Sequence, residues 1–338
     1  MKKKWYAVIL IYIALLVMCL VAVYAVPSVK GLLEKTYIAE YGKLDVTDNV
    51  SAYIVRDEVV YVAAQSGKIN RLAEENKLVK AKARVVEITP DNESADEKSS
   101  PSVRYGSVLG RLGDDVKITD EGYTQEAGYI SYYIDGAESQ LRTDNIDNLL
   151  HKDFKSLTDL KAIKTPVQEC EKGDPLFKVT KNSKWYLVFY IDKEAGKKYT
   201  EGRTVKADIA GTSVDVKVVS VREGPKAIRV VLSCKMFFDE FFGERSLDTV
   251  VTVASADGLL IRDSSIVERD GQKGVLVKNK IGEIKFKPVA IKADDGTTSV
   301  AYADIYVDAE GNFVETIGTY DEIIAEPTPE EIKALDDK

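Results

Sequence analysis

The stretch Ala63-Ala64-Gln65-Ser66-Gly67-Lys68-Ile69-Asn70-Arg71-Leu72-Ala73-Glu74-Glu75-Asn76-Lys77-Leu78-Val79-Lys80 decides how this chain is read. A β-rich run, Glu58-Val59-Val60-Tyr61-Val62-Ala63, leads into it and ends at the turn Ser66-Gly67. A second strand-length segment follows over 67–72, then an acidic and polar turn, then Leu78-Val79-Lys80. A third run, Ala83-Arg84-Val85-Val86-Glu87-Ile88, completes the set. Short runs of β-branched and aromatic residues between Gly- and Asn-containing turns predict strands rather than helices.

The same texture extends in both directions. Ala52-Tyr53-Ile54-Val55 precedes it, and Gly128-Tyr129-Ile130-Ser131-Tyr132-Tyr133-Ile134 follows. A second composite motif is Thr165-Pro166-Val167-Gln168-Glu169-Cys170-Glu171-Lys172-Gly173-Asp174-Pro175-Leu176-Phe177-Lys178-Val179. Beyond it, 185–191 is a continuous apolar strand. The runs 205–209, 214–221 and 227–232 then alternate with Gly-containing turns, a spacing that predicts an antiparallel barrel or sandwich. Later strands are expected at 250–254, 274–277, 284–291 and 299–307, then a hairpin through Asp308-Ala309-Glu310-Gly311-Asn312. Between the two motifs, Pro90 to Pro101 is charged and Ser-rich and reads as a mobile exposed loop. Short helices are expected over 143–150 and 153–160, and no long amphipathic helix is found there.

Composition restricts function. The chain has 338 residues, 45% apolar and 30% charged, enough for two to three folded domains. A net charge of −8 argues against nucleic-acid binding, which needs a basic patch. One histidine, His151, and three cysteines leave no multi-ligand metal site of the usual kind. His151 and the acidic pairs Asp114/Asp115 and Asp147/Asp153 are read as ordinary surface groups. No nucleophile elbow, zinc-protease helix or P-loop occurs. The chain is therefore read as a non-enzyme with no catalytic, cofactor-binding or metal residues.

The N-terminus carries a second signal. Lys2, Lys3 and Lys4 precede Trp5 to Val29, which contains no charge. As a helix, that segment would be about 37 Å long, enough to cross a hydrocarbon core of ~30 Å. Trp5, Tyr6 and Tyr24 fall near its ends, where amphipathic rings favour the interface. The lysines predict a cytoplasmic N-terminus and an extracytoplasmic body. The competing reading is a signal peptide cleaved after Ala25, but the apolar run is longer than such segments usually are. In an oxidising compartment Cys170 and Cys234 form a disulfide or stay as buried thiols, and both readings stay open.

The two composite motifs resemble the half-motifs of the HlyD-like periplasmic adaptor, or membrane fusion protein, family. Lys172-Gly173-Asp174-Pro175-Leu176-Phe177-Lys178-Val179 follows the family pattern closely. In the first half-motif, Asn76 stands where a glycine is usual, and Ala81 to Ala83 covers a second such glycine. Downstream, Gly258-Leu259-Leu260-Ile261-Arg262-Asp263-Ser264-Ser265-Ile266-Val267 is similar to the family's entry into the membrane-proximal domain, with Arg262 for proline and Ser265 for alanine. Gly274-Val275-Leu276-Val277 and Ile284 to Val289 resemble the hairpin that follows. The resemblance is to the Gram-positive, hairpin-reduced, RND/ABC-adaptor-related type. It implies a mainly β fold: an N-terminal transmembrane helix, a barrel-sandwich hybrid (lipoyl-like), a β-barrel and a membrane-proximal β domain, with no long helical hairpin. Lys68 and Lys172 are read as plain surface residues, since adaptors keep the lipoyl-like fold without its chemistry.

The resulting organisation places a cytoplasmic tip and signal anchor at 1–30 and a juxtamembrane linker, partly helical over 29–35, at 31–50. The barrel-sandwich hybrid with its insert occupies 51–182, including the mobile loop 90–101. The barrel occupies 183–255, the membrane-proximal domain 256–325, and a disordered acidic tail 326–338. The implied function is a non-catalytic adaptor in the cell membrane. It would hold the bilayer through residues 5–29, form a homo-oligomer and assemble with an export transporter, most plausibly of ABC type. The alternative is an envelope scaffold for cell division or the cell wall that reuses the fold without transport. Phe237, Phe238, Phe241 and Phe242 are the candidate protein contact, with barrel core as the competing role.

Overall fold

The computed structural model describes residues 12–17, 35–90, 101–181, 184–238, 241, 243–333 and 335. Two compact units are present, one formed by Thr47–Val253 and the other by Met1–Val46 with Ala254–Lys338. The expected anchor lies outside the described residues except for 12–17, which are helical. Among the described residues no helix is long and apolar enough to cross a membrane. The helix expected over 29–35 and the loop over 91–100 also lie outside them.

The described body opens with β1 (Thr36–Ile38) and the 16-residue β2 (Glu40–Val55). Strand therefore replaces most of the expected linker. The reason is one-sided burial: in β2 only Val46, Val50, Ala52, Ile54 and Val55 are buried, so its polar alternation resembled a loop.

The hybrid domain follows. Its elements are β3 (Glu58–Ala63), β4 (Gly67–Arg71), β5 (Leu78–Val79), β6 (Val86–Pro90), α1 (Gly106–Leu112), β7 (Val116–Thr119), β8 (Gly128–Ser131), β9 (Tyr133–Ile134), α2 (His151–Thr158), β10 (Ile163–Lys164), β11 (Glu169–Cys170) and β12 (Pro175–Lys181). Five strands in the order β5-β8-β12-β3-β7 face three in the order β11-β4-β6. The two half-motifs interlock: β12 pairs antiparallel with β3, Lys178 opposite Val60, and β11 pairs with β4, Glu169 opposite Lys68. Tyr61, Phe177, Val179, Ile69 and Ile88 fill the space between the sheets, with the Tyr61 and Phe177 rings stacked at 4.8 Å.

Local chemistry explains the motif spellings. Gly173 has φ +87°, and a Cβ there would meet Pro101 at 2.7 Å. Asp174 accepts hydrogen bonds from Ser102 N, Ser102 Oγ and Glu171 N, which fixes the turn into β12. The two missing glycines are also accounted for. Asn76 has φ 60° and Lys82 has φ 62°, so both positions keep the left-handed backbone that glycine serves elsewhere. Asn tolerates that region, whereas Lys does so at a cost of about 1 kcal/mol. Lys82→Gly is therefore expected to stabilise the protein by roughly 0.5–1 kcal/mol, and Lys82→Ala to bring no gain, as read by heat unfolding. An equal gain from both substitutions would show that side-chain loss, not backbone relief, is responsible.

The insert contains a 3-10 turn at Ile146–Asn148 where a helix over 143–150 was expected. α2 begins at His151, two residues before the expected 153. Asp153 explains that start, because its carboxylate accepts from Leu150 N at 2.9 Å and caps the helix.

The barrel is made from β2, β13 (Trp185–Ile191), β14 (Thr204–Ile209), β15 (Thr212–Glu223), β16 (Ile228–Cys234) and β17 (Ser246–Arg262), with the one-turn α3 (Lys193–Gly196) after β13. The order β14-β15-β16-β13-β2-β17 is closed by β14 against β17, Ala207 opposite Val251. Closure leaves no free edge in this ring of strands. Leu187, Phe189, Val216, Val230, Leu232 and Val251 point inward.

The remaining unit contains β18 (Ile266–Arg269), β19 (Gln272–Lys278), β20 (Ile284–Pro288), β21 (Ile291–Asp294), β22 (Thr298–Ala301), β23 (Ile305–Val307), β24 (Phe313–Glu315), β25 (Glu322–Ile324) and α4 (Pro329–Lys333). β1 joins this unit by pairing with β25, Thr36 opposite Ile324. The single strand expected over 299–307 is two strands, interrupted at Asp304, which has φ 61°. α4 is a short helix within the tail that was expected to be disordered. Arg262 and Ser265, the two departures from the family spelling, share one partner. Tyr37 OH accepts from Arg262 N at 2.9 Å and bonds Ser265 Oγ at 2.7 Å, and the Arg262 guanidinium lies over the Tyr37 ring.

Candidate functional site

The resemblance to HlyD-like adaptors would place a long helical hairpin in the segment between the half-motifs. Here that segment does something else. β13 was legible as continuously apolar because both of its faces are buried. Trp185, Leu187 and Phe189 point into the barrel, whereas Tyr186 and Val188 point outward with Val55 and Val231. The insert covers that outer wall. Ala137, Leu141, Ile146, Leu149, Phe154 and Leu157 pack against it in one cluster. The Phe154 ring stacks on Tyr53 at 5.2 Å and meets Tyr190 edge-on at 6.4 Å. His151 stacks on Tyr190 at 4.0 Å, so the single histidine is part of the same aromatic contact. Arg229 on β16 donates to Ile146 O and to Asp147 Oδ1, which fastens the 3-10 turn to the wall. Among the described residues of the insert the longest helix, α2, has eight residues and is about 12 Å long. Among the described residues there is no long helical hairpin.

A buried charge cluster joins the insert to both domains. Arg245, immediately before β17, makes a bidentate pair with Asp135, Nε to Oδ2 at 2.7 Å and Nη2 to Oδ1 at 2.9 Å. Its Nη1 donates to Glu58 Oε2 at 2.6 Å. Glu58 also accepts from Arg56 Nε at 2.9 Å and from Thr180 Oγ1, and pairs with Lys178 at 3.2 Å. Glu138 accepts from Lys178 Nζ and from the backbone amides of Asp135 and Gly136. Arg56 Nη1 donates to Phe241 O at 2.6 Å. Three cations thus face three carboxylates, and all six residues are buried. Burial alone would raise the carboxyl of Glu58, but the charges of Arg245, Lys178 and Arg56 outweigh it and hold the group well below the usual range. Asp135 is lowered in the same way, against burial, chiefly by Arg245. Burial would lower Arg245, but Glu58 and Asp135 raise it well above its ordinary value. A neutralised, fully hydrogen-bonded buried cluster fixes the positions of the elements it joins.

The expected contact phenylalanines lie at the barrel rim. Phe237, Phe238 and Phe241 are partly buried against the barrel core, and Phe242 lies outside the described residues. Phe237 reaches the hybrid domain, its ring 5.1 Å from that of Tyr129. Trp185 Nε1 donates to Met236 O at 2.7 Å and fixes the segment. The acidic pairs have structural partners: Asp115 pairs with Arg142, and Asp147 with Arg222 and Arg229. Cys170 and Cys234 are buried in two different cores and are not joined by a disulfide. Lys68 and Lys172 are exposed. Among the described residues no group of three His, Cys, Asp or Glu side chains can hold a metal.

A family model described as the RND-related barrel-sandwich hybrid domain matches residues 58–181. A second, the RND-related beta-barrel domain, matches residues 185–254. No curated protein matches the chain. Among solved structures, MacA from Actinobacillus actinomycetemcomitans is 12% identical, covers 86% of this chain and 100% of its own, and gives a TM-score of 0.38. ZneB from Cupriavidus metallidurans is 11% identical over 88% of this chain and 93% of its own, with a TM-score of 0.29. A MacA-MexA chimera with the Pseudomonas aeruginosa MexA α-hairpin domain is 14% identical over 82% and 98%, with a TM-score of 0.35. The two matched domains follow each other along more than half of the chain, and the chain belongs to the RND-related family of barrel-sandwich hybrid and β-barrel proteins, consistent with its HlyD-like adaptor motifs.

Proposed function

We propose that this chain is a membrane-anchored, extracytoplasmic, non-catalytic adaptor subunit that assembles with an export transporter. The observation that carries the reading is the hybrid domain made of two interlocked half-motifs and followed directly by the closed barrel. Residues 5–29 serve as the anchor, with Lys2 to Lys4 on the cytoplasmic side and the β body outside. The adaptor acts mechanically. Its domains pack on the outer face of a transporter, most plausibly of ABC type, and copies of the chain oligomerise around the exit path. No cofactor or nucleic acid takes part.

The docked insert supports a form of this function without long reach, since its hydrophobic groups are spent on the barrel wall. That same observation favours a second reading, an envelope scaffold for division or wall synthesis that keeps the fold without transport. Affinity purification of the tagged full chain from gently solubilised native membranes separates the two. Stoichiometric recovery of a permease or its ATPase supports the adaptor. Recovery of division or wall-synthesis proteins, with no transporter above an untagged control, rejects it in favour of the scaffold.

A further inference from the structure

The ribbon formed by β23 and β24 breaks the usual pattern of a one-sided sheet, in which outward residues are polar. Its register sets Val307 opposite Phe313 and Ile305 opposite Glu315, so these four share a face. That face is outward: Ile305 is 55% exposed, Val307 57% and Phe313 81%. The opposite face holds the ribbon on its own unit. Tyr306 is buried, and its hydroxyl accepts from Gln272 Nε2 at 3.2 Å. The tip is fixed as well, because Asp308 Oδ1 accepts from the amides of Glu310 and Asn312. Three apolar side chains are therefore presented to solvent on a preorganised surface.

The route of the chain says what covers them. β1 delivers the N-terminal segment into this unit through its pairing with β25. Val29, the end of the uncharged run, and Lys35, the first described residue before β1, are six residue steps apart. Fully extended, they span at most about 20 Å. If residues 5–29 span the bilayer, the point at which the chain enters this unit, Lys35, stays within that distance of the lipid surface. The charge is also selective. From residue 303 to 322 there are six carboxylates and no Lys or Arg. An acidic flank is repelled by anionic headgroups and meets no such repulsion at net-neutral zwitterionic ones.

We propose that the Ile305/Val307/Phe313 face of this ribbon docks on the zwitterionic lipid surface beside the anchor, with its apolar side chains at the headgroup–acyl boundary. The inference rests on the anchor reading given above. Docking would make the ribbon a second, weak membrane contact that orients the anchored unit without itself providing affinity enough to hold the protein.

The test uses the full chain in phosphatidylcholine/phosphatidylethanolamine vesicles carrying lipids brominated near the headgroup. Native Trp5 reports the anchor, while Trp185 is buried in the barrel. Phe313→Trp, and separately Val307→Trp, in a Trp5→Phe background report the ribbon. The introduced indole is expected to emit at shorter wavelength and to lose roughly half its intensity to the shallow quencher. Adding phosphatidylglycerol should reduce that quenching. If Trp5 is quenched but neither introduced indole is, the lipid assignment is overturned and the anchor stands. If Trp5 is not quenched either, the anchor reading fails and the inference with it. Indoles that stay unquenched in vesicles but are shielded in native membranes assign the face to a protein partner, which also overturns it. Quenching that requires phosphatidylglycerol overturns the zwitterionic assignment.

Discussion

Replacing Arg245 by Met is expected to destabilise the Thr47–Val253 unit by about 3–5 kcal/mol, a fall in Tm of roughly 10 °C. The substitution keeps much of the side chain's volume, so the loss is electrostatic rather than a cavity. It leaves Asp135 without its bidentate partner and Glu58 without its shortest one, in a cluster whose residues are all buried. Arg245→Met with Asp135→Asn should lose less than the sum of the two single changes, because removing the second charge relieves what the first exposed. Heat unfolding of the full chain in mild detergent measures all three. A loss under about 1 kcal/mol for Arg245→Met would mean that solvent reaches the cluster, as it does for exposed pairs.

The same cluster sets the response to acid. Glu58 and Asp135 have folded pKa values below their ordinary ones. Groups lowered in this way contribute stability that is fully present above the unfolded carboxylate pKa of about 4. That contribution is lost as pH falls through the lower folded values. The wild-type chain should therefore keep a flat Tm down to about pH 5 and lose it steeply below pH 4. Glu58→Gln should start from a lower Tm and show a shallower acid limb, since one titrating carboxylate is gone.

How much of this was legible in the sequence depends on the range of the physics involved. The half-motifs and the hairpin at Asp308 to Asn312 depend on local turn chemistry and were readable, whereas several strand lengths were not: 299–307 is two strands and 250–254 is part of the longer β17. At Asn76 and Lys82 the familiar spelling is lost but the left-handed backbone is kept, because the surrounding pairings fix it. Lys82 N donates to Thr124 O and Asn76 N to Ile130 O. β2 was missed over its first half because Lys43, Asp45, Thr47 and Asn49 face outward and outnumber the buried Val46 and Val50. The charge cluster left no signal, since Glu58 and Arg245 are 187 residues apart and each sits among ordinary surface charges. The apolar run Trp185 to Ile191 did announce burial on two sides. What covers the second side was invisible, because Ala137, Leu141 and Phe154 follow no single period.

The cover itself leads to the last expected result. Phe154→Ala should cost about 3–5 kcal/mol, since the ring is fully buried and stacks between insert and barrel. Where that loss appears matters more than its size. The barrel keeps its own closed ladder of hydrogen bonds and its own interior core, neither of which includes Phe154. The insert has no sheet over 137–158 and depends on side chains packed against Tyr186, Val188 and Val231. Hydrogen exchange should therefore rise across residues 137–158 while the amides of β13 and β16 stay protected. The newly exposed outer wall should bind more of a hydrophobic dye than the wild-type chain does at the same pH. Equal loss of protection in β13 would show instead that insert and barrel fold as one cooperative body. The insert would then be a structural requirement of the barrel rather than a separable cover, and a family hairpin could not simply be exchanged for it.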